Sequence, residues 1–181
     1  MENIPDTLSL FDVSGKVALI TGASGGFGQA ASKGLAKAGA KVMLTGRSED
    51  KLAPLAKEIN DAGYAAAYVA GEPSNEEDVK RIVEETVKAF GGIDILITAA
   101  GVSRVKPITE FPTEEFDMIM DANVKGTWLV CREAGKVMIE QGRGGKVILI
   151  SSTRGRLGMA NYTGYATSKG AVHVLTRSLG C

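Results

Sequence analysis

The sequence is poor in cysteine and histidine: among 181 residues it contains Cys131, Cys181 and a single histidine, His173. Two cysteines are too few for a disulfide framework, and one histidine cannot build a Cys/His metal cluster or a Ser-His-Asp triad. We therefore expect no metal site, and we interpret His173 as a partly exposed helix residue.

The chain also lacks an excess of charge of either sign, since Lys and Arg together number 21 and so do Asp and Glu. Without a basic excess, the electrostatic attraction for nucleic acid is missing and membrane-surface binding is disfavoured. No apolar run reaches the roughly 18 residues that span a bilayer, and the N-terminus lacks the pattern of a signal peptide. We expect a cytoplasmic protein with no nucleic-acid and no membrane partner.

Glycine, in contrast, is abundant at 23 residues, while hydrophobic residues make up 44% and charged residues 23% of the chain. This composition is globular, and the length suits one domain with a core of its own. Because no segment is of low complexity, we expect the glycines at turns, helix ends and close backbone contacts.

Short apolar runs alternate with longer amphipathic segments along the chain. Most of the runs are nearly continuous, which is typical of strands buried on both faces of a parallel sheet. Strands are predicted at residues 16–21, 41–45, 64–70, 93–98 and 146–151. The succession of βα units predicts an α/β fold, a doubly wound, Rossmann-like parallel sheet in a single domain over 1–181 whose first residues, 1–14, form an N-terminal arm.

Capping patterns and glycines mark the expected helix ends. Residues 74–77, Ser-Asn-Glu-Glu, have the pattern of a capping box, and Gly91 marks the end of the helix that this box opens. Gly39, Gly63 and Gly142 stand where other helices are expected to stop.

The first predicted strand runs directly into a glycine-rich turn, Thr-Gly-Ala-Ser-Gly-Gly-Phe-Gly at 21–28. Glycines at such a junction allow a tight turn and a close backbone approach to phosphate, and the helix that follows offers free N–H groups. The spacing is neither G-x-G-x-x-G nor that of a Walker loop. We predict that this turn binds the pyrophosphate of a dinucleotide.

The residues after the second strand are expected to decide between NAD and NADP. A carboxylate there binds the ribose 2′-hydroxyl of NAD, whereas a basic residue can meet the 2′-phosphate of NADP. The sequence has Gly46 and Arg47 at this place, without a carboxylate. Because a guanidinium can bind phosphate through two hydrogen bonds, Arg47 favours NADP over NAD. The alternative is that Arg47 is a solvated loop charge.

Tyr165 and Lys169 lie four residues apart in a segment with helical patterning. This spacing places both side chains on one face of the helix, about 5–6 Å apart at Cβ. A cation at about 5 Å, with an effective dielectric constant near 20, stabilises a phenolate by about 3 kcal/mol. Tyr165 is therefore a candidate acid/base.

Asn123 interrupts a largely apolar stripe with helical spacing. The stripe comprises Phe116, Ile119, Met120, Thr127, Val130, Cys131 and Ala134. A buried amide needs hydrogen-bond partners, and Gly126 is expected to loosen the helix enough to provide them. The alternative is an ordinary core amide.

The order and spacing of these features resemble the short-chain dehydrogenase/reductase family. The features are the T-G-x-x-x-G-x-G turn at 21–28, Asn123 within Asn-Val-Lys-Gly, Ser152, which lies 13 residues before Tyr165, and Lys169. The similarity runs from about residue 14 to about residue 179. No single motif is decisive, but their combination in this order is specific.

The resemblance implies a role for each matching residue. Tyr165 is expected to be the general acid/base on the substrate oxygen, and Lys169 to promote its deprotonation and to bind the nicotinamide ribose. Ser152 is expected to orient the reacting oxygen, and Asn123 to hold a water in a proton relay to Lys169. The coenzyme is expected to contact Gly22, Ser24, Gly26, Phe27, Gly28, Arg47, Ala99, Gly101, Tyr165 and Lys169.

The implied activity is reversible hydride transfer between NADP(H) and a small-molecule alcohol/carbonyl substrate of the sugar, polyol or 3-oxoacyl type. The resemblance alone implies a homo-oligomer, a dimer or tetramer, formed through the helices around 117–141 and 162–179. The alternative is a non-catalytic nucleotide-binding module or an inactive truncated fragment. Arg154 and Arg156 either attract an anionic substrate or are solvated loop charges.

Three segments depart from the pattern of the family. Residues 98–101 are Thr-Ala-Ala-Gly instead of Asn-Asn-Ala-Gly, and residues 71–74, Gly-Glu-Pro-Ser, replace the usual Asp-Val, so that Glu72 is a candidate for the lost carboxylate. The sequence also stops before the last strands and the substrate loop of the family. We expect a C-terminally truncated form in which the strand at 146–151 is an exposed edge.

Overall fold

The computed structural model describes residues 7–181. A five-stranded parallel sheet has the order β3-β2-β1-β4-β5. The strands are β1 (Val17–Thr21), β2 (Lys41–Gly46), β3 (Ala66–Ala70), β4 (Ile95–Thr98) and β5 (Lys146–Leu149). This is the predicted doubly wound α/β architecture, and the strand order reverses between β1 and β4.

Six α-helices accompany the sheet. They are α1 (Gly26–Lys37), α2 (Glu49–Asp61), α3 (Glu76–Phe90), α4 (Thr113–Met120), α5 (Gly126–Glu140) and α6 (Thr163–Leu179). Short 3₁₀ turns lie at Thr7–Phe11, Ile108–Glu110 and Thr153–Gly155. Of the predicted N-terminal arm, residues 1–6 lie outside the described part of the chain. No helix within residues 7–181 combines the length and apolarity that a membrane crossing requires.

All five predicted strands are present, but four are shorter than the apolar runs that predicted them. β1 begins at Val17 rather than 16, β3 at Ala66 rather than 64 and β4 at Ile95 rather than 93, and β5 ends at Leu149 rather than 151. Ladder pairing sets these ends: Ile95, for example, is the first residue of β4 with partners on both neighbouring strands. Hydrophobicity continues past the last paired residue, so it overestimates strand length.

The predicted capping box of α3 is wrong by one residue. The cap is Asn75, whose side-chain oxygen accepts a hydrogen bond from the N–H of Asp78 at 3.0 Å. Ser74 lies one residue before this cap, and its hydroxyl donates to Glu72 at 3.2 Å. The predicted helix end is confirmed, since Gly91 follows Phe90 in the left-handed conformation with φ +86°.

The sheet is buried on both faces, as its continuous apolar strands predict. On one face Ala18, Ile20, Val42 and Leu44 pack with Leu52 and other residues of α1 and α2. On the opposite face Leu19, Met43 and Leu96 pack with residues of α3 and α5, among them Ile82, Val130 and Cys131. Burial raises the pKa of the Cys131 thiol to about 11, whereas Cys181 is exposed.

A π-helical turn, Asp121–Lys125, joins α4 to α5 in one long helix. The turn lies directly before Gly126, where the sequence predicts a loosened helix. A side chain at Gly126 would come within 3.2 Å of the Pro73 backbone, so the helix approaches the loop after β3 closely. Such π turns are rare and often occur at functional sites.

β5 forms one edge of the sheet, as expected. Val147 is 40% exposed and Ile148 is 48% exposed on this edge. In an open α/β sheet, ligands bind beyond the carboxyl ends of the strands at the point where the order reverses. In this chain that point lies between β1 and β4.

Candidate active site

A cavity of about 680 Å³ opens beyond the carboxyl ends of β1, β2 and β4. Its walls come from the glycine turn, the residues after β2, β3 and β4, and one face of α4. The lining comprises Gly22, Ser24, Gly25, Gly46, Arg47, Ser48, Lys51, Glu72, Pro73, Ser74, Ala99, Ala100, Gly101, Val102, Glu114, Asp117, Met118, Asp121 and Ala122. The cavity therefore lies where the fold predicts a ligand.

Gly22 is required both by its backbone conformation and by its neighbours. Its φ is +63°, and a Cβ at this position would lie 2.5 Å from the Ala100 nitrogen. A Cβ at Gly28 would overlap the Gly22 carbonyl group. The turn is thus pressed between the β4 loop on one side and the start of α1 on the other.

The start of α1 leaves main-chain donors without a capping side chain. Gly25 is the N-cap, and the N–H of Gln29 donates to its carbonyl at 2.8 Å. The N–H groups of residues 26–28 precede this first helical bond and have no acceptor in the helix. Gly22, Ser24 and Gly25 line the cavity, whereas Gly26, Phe27 and Gly28 form the first helical turn beyond it, and the Phe27 side chain is 76% exposed.

Two basic residues line the cavity near the end of β2. Arg47 was predicted from the sequence as a coenzyme-binding residue. Ser48 and Lys51 also line the cavity here, and the sequence analysis did not predict them. Ser48 is the N-cap residue of α2 and Lys51 lies in the first turn of that helix. The signal was present in the sequence: a helix that starts at 49 brings residues 47, 48 and 51 to the same end.

Glu72 stands opposite these cations. Its carboxylate lies 3.8 Å from Nε of Arg47. The other carboxylate oxygen of Glu72 accepts hydrogen bonds from the N–H and the hydroxyl of Ser74, at 3.4 and 3.2 Å. The Glu72 N–H donates to Asp78 at 2.9 Å, and this bond, together with that from Arg81, holds the pKa of the Asp78 carboxyl below its usual value.

Main-chain hydrogen bonds hold the loop after β4. The N–H of Ala99 donates to the Thr21 carbonyl at 3.2 Å, and the N–H of Ala100 donates to the Thr21 hydroxyl at 3.3 Å. Ala99 has no side-chain hydrogen bond to offer, but its backbone still fixes the loop to β1. Ala99 and Gly101, both predicted to contact the coenzyme, line the cavity.

Asn123 is fully buried in the π turn and has three protein partners. Its side-chain oxygen accepts from the N–H of Val102 at 2.7 Å. Its amide nitrogen donates to the Val102 carbonyl and to the Ser168 hydroxyl, both at 2.9 Å. The predicted need for hydrogen-bond partners is confirmed, and Asn123 joins the β4 loop to α6.

Lys169 is a buried cation, only 5% exposed. Its ammonium donates to the Ile150 carbonyl at 2.7 Å and lies 5.8 Å from the centroid of the Tyr165 ring. Burial lowers the pKa of Lys169. A Cβ at Gly101 would lie 3.5 Å from this nitrogen, so Lys169 lies behind the end of the cavity that Gly101 lines. Asn123, Ser152, Tyr165 and Lys169 are not themselves among the lining residues.

The two serines after β5 face different partners. The Ser151 hydroxyl donates to the Lys169 carbonyl at 2.9 Å, which fixes the strand end to α6. The Ser152 oxygen accepts from the N–H of Arg154 at 3.2 Å and caps the 3₁₀ turn. Ser152, the serine chosen from its spacing to Tyr165, therefore keeps its hydroxyl proton free for another acceptor.

Known proteins are similar in sequence to this chain along most of its length. A family model described as short chain dehydrogenase matches residues 16–181. An uncharacterized oxidoreductase of Mycobacterium tuberculosis is 45% identical over 174 residues, which cover 95% of this chain and 63% of that protein. A glucose 1-dehydrogenase of Gluconobacter oxydans is 40% identical over 167 residues, which cover 92% of this chain and 63% of that protein.

A solved structure of a gluconate 5-dehydrogenase from Burkholderia cenocepacia, in complex with NADP and tartrate, matches with a TM-score of 0.91 at 34% identity. The match covers 96% of this chain and 68% of that one. The chain spans about 63% of the length of the curated relatives named above. On the family match and these likenesses, the chain belongs to the short-chain dehydrogenase family.

Proposed function

We propose that this chain is the nicotinamide-binding and catalytic part of an NADP(H)-dependent oxidoreductase that interconverts an alcohol and a carbonyl compound. One observation carries the proposal. Gly101 lines the large cavity and also lies against Lys169, whose ammonium is 5.8 Å from the Tyr165 ring centroid. A dinucleotide in the cavity would therefore end beside an acid/base pair.

The residues of the cavity fit a dinucleotide. The glycine turn at 22–28 has no room for side chains at Gly22 and Gly28, and the start of α1 offers uncapped N–H groups to a pyrophosphate. Arg47 and Lys51 are placed to meet a 2′-phosphate, which favours NADP over NAD. Gly26 and Phe27 are proposed to contribute through their main-chain N–H groups.

The chain's own residues would move the proton. In the reduction direction Tyr165 donates its phenolic proton to the carbonyl oxygen, and Lys169 stabilises the phenolate that remains. Ser152 donates a hydrogen bond from its hydroxyl to the same oxygen and keeps its proton, while the N–H of Arg154 fixes the serine. A nicotinamide, when bound, would supply the hydride to the carbonyl carbon. Asn123 is proposed to position the loop after β4 and, through the opened π turn, to support a water relay to Lys169.

Sugars and sugar acids are the substrate class that the relatives favour. One relative is named a glucose 1-dehydrogenase, and one solved neighbour is a gluconate 5-dehydrogenase with tartrate bound. Arg154 follows Ser152 by two residues and is half-buried, which supports it as a candidate contact of an anionic substrate. Polyols and 3-oxoacyl thioesters belong in the same screen.

Titration with NADPH and with NADH, followed by nicotinamide fluorescence, tests coenzyme binding. We expect both to bind and NADPH to bind more tightly, and we expect Arg47→Ala to reduce this preference. Failure of both coenzymes to bind at millimolar concentration would rule out the proposal. A wild-type preference for NADH would overturn the NADP assignment alone.

Turnover of sugars and sugar acids tests the catalytic role of Tyr165. Tyr165→Phe is expected to lower kcat by at least about a hundredfold while coenzyme binding is retained, because only the proton donor is removed. Tyr162→Phe is the matched control, since this half-buried ring lies 6.3 Å from that of Tyr165 and belongs to the N-cap residue of the same helix. Coenzyme binding without turnover in the wild type would support a non-catalytic nucleotide-binding module instead.

A further inference from the structure

The wall of the cavity carries charges of both signs close together. Arg47 and Lys51 line it after β2, and Glu72 lines it after β3, with 3.8 Å between the Glu72 carboxylate and Nε of Arg47. Lys51 has no carboxylate partner within residues 7–181. Because Arg47 and Glu72 lie this close together, a phosphate that binds Arg47 would also approach the Glu72 carboxylate.

Glu72 is the fixed member of the pair. One of its carboxylate oxygens accepts two hydrogen bonds from Ser74, and its main-chain N–H donates to Asp78, which in turn pairs with Arg81. The Arg47 side chain is 69% exposed, against 39% for Glu72. A ligand anion can draw Arg47 away, but the carboxylate stays in the wall.

We propose that Glu72 is a specificity-determining residue that narrows the preference for NADP over NAD; this inference rests on the proposed function. A 2′-phosphate must displace Arg47 from Glu72 and then remain near a fixed carboxylate of the same sign. The ribose 2′-hydroxyl of NAD carries no charge and can donate a hydrogen bond to a carboxylate. The Glu72 charge thus opposes one coenzyme and not the other.

The test compares wild type with Glu72→Gln, because glutamine removes the charge and keeps an oxygen that accepts the Ser74 hydrogen bonds. Dissociation constants for NADPH and NADH are measured by nicotinamide fluorescence at low and at high salt. We expect NADPH to bind about fivefold more tightly to the variant at low salt, with NADH unchanged or weaker. Added salt should diminish the gain, because the Arg47–Glu72 pair is exposed.

Glu84→Gln is the matched control, since this glutamate is exposed on α3 and does not line the cavity. It removes the same charge and is expected to leave the ratio of the two dissociation constants unchanged. If Glu72→Gln does not fold, Glu72→Ser removes the carboxylate and keeps a hydroxyl for Ser74, and the same shift in ratio is expected.

An equal change in NADPH and NADH affinity, or an unchanged ratio, would overturn the role of Glu72 while leaving the proposed function intact. An inability of the wild type to bind either coenzyme would instead remove the proposed function itself. The two failures are therefore distinguishable in one set of titrations.

Discussion

At the scale of single residues, the shape of the cavity depends on a glycine at a position that has no room for a side chain. The turn after β1 passes so close to the β4 loop that a methyl group at Gly22 would meet the Ala100 backbone. Gly26 belongs to the same glycine-rich motif, but a Cβ at this position would have no neighbour within 4 Å. Steric crowding therefore requires glycine at position 22 and not at position 26.

This contrast predicts opposite results for two alanine substitutions. Gly22→Ala combines a φ of +63° with a backbone overlap, and we expect it to lower the free energy of unfolding by roughly 1–3 kcal/mol and to abolish tight NADPH binding. Gly26→Ala should leave stability unchanged or raise it by about 0.4–1 kcal/mol. Urea unfolding and NADPH titration of both variants provide the measurement. Equal effects of the two substitutions would contradict this assignment.

At the scale of elements, one helix with an interrupted hydrogen-bond pattern ties the site together. The π turn at Asp121–Lys125 presents Asn123 to the loop after β4 and to α6 at once. The Asn123 side chain thus links the Val102 backbone, next to Gly101, to the Ser168 hydroxyl, next to Lys169. The arrangement depends on tertiary packing, because Val102 and Ser168 are distant from Asn123 in sequence.

Asn123→Ala is therefore expected to act on stability as well as on activity. It leaves the N–H and carbonyl of the half-buried Val102 without their side-chain partner, which costs roughly 1–3 kcal/mol of the free energy of unfolding. Asn60→Ala is the control, because Asn60 also makes two side-chain bonds to one backbone segment, at Ala66, but on the exposed surface. Thermal unfolding of both variants checks the difference, and a larger loss in Asn60→Ala would refute it.

The sequence predicts those elements and site residues whose cause is local. Continuous apolar runs locate all five strands. Gly91 correctly predicts the end of α3, because glycine readily adopts the left-handed conformation found there. The spacing of Tyr165 and Lys169 places both on α6. Ser48 and Lys51 were not predicted: the start of α2 at Glu49 brings them to the same end as Arg47, but only the packing of α2 makes them line the cavity. The cap of α3 was misplaced by one residue because Ser74 and Asn75 are neighbouring residues of types that both cap helices, and in the structure Asn75 accepts from the N–H of Asp78.

At the scale of the whole molecule, one buried carboxylate connects the start of the sheet to a distant loop. Asp94, 8% exposed, accepts hydrogen bonds from the N–H of Val17 at 2.9 Å and from Arg143 at 2.7 Å. Burial alone raises the pKa of Asp94, but these bonds outweigh it and leave the pKa below the ordinary value of 3.8. Folding therefore favours the ionised form of Asp94.

Because the pKa of Asp94 is lowered in the folded state, the free energy of unfolding depends on pH in the acid range. The contribution of Asp94 to stability is complete above the unfolded pKa of 3.8 and is lost as the pH falls through the lower pKa of the folded state. Asp94→Asn should lower the free energy of unfolding by about 1–3 kcal/mol near neutral pH, and the difference from wild type should shrink in acid. Urea unfolding as a function of pH measures it; a difference that grows in acid would contradict this sign.

The two thiols of the molecule offer a ready probe of its motions. Cys181 is exposed, while Cys131 lies between α5 and the sheet with its pKa raised to about 11. A maleimide dye should therefore attach to Cys181 at once and to Cys131 only when α5 separates from the strands. The slow rate of labelling at Cys131 measures how often α5 separates from the sheet. If bound coenzyme stabilises the core, it should lower this labelling rate.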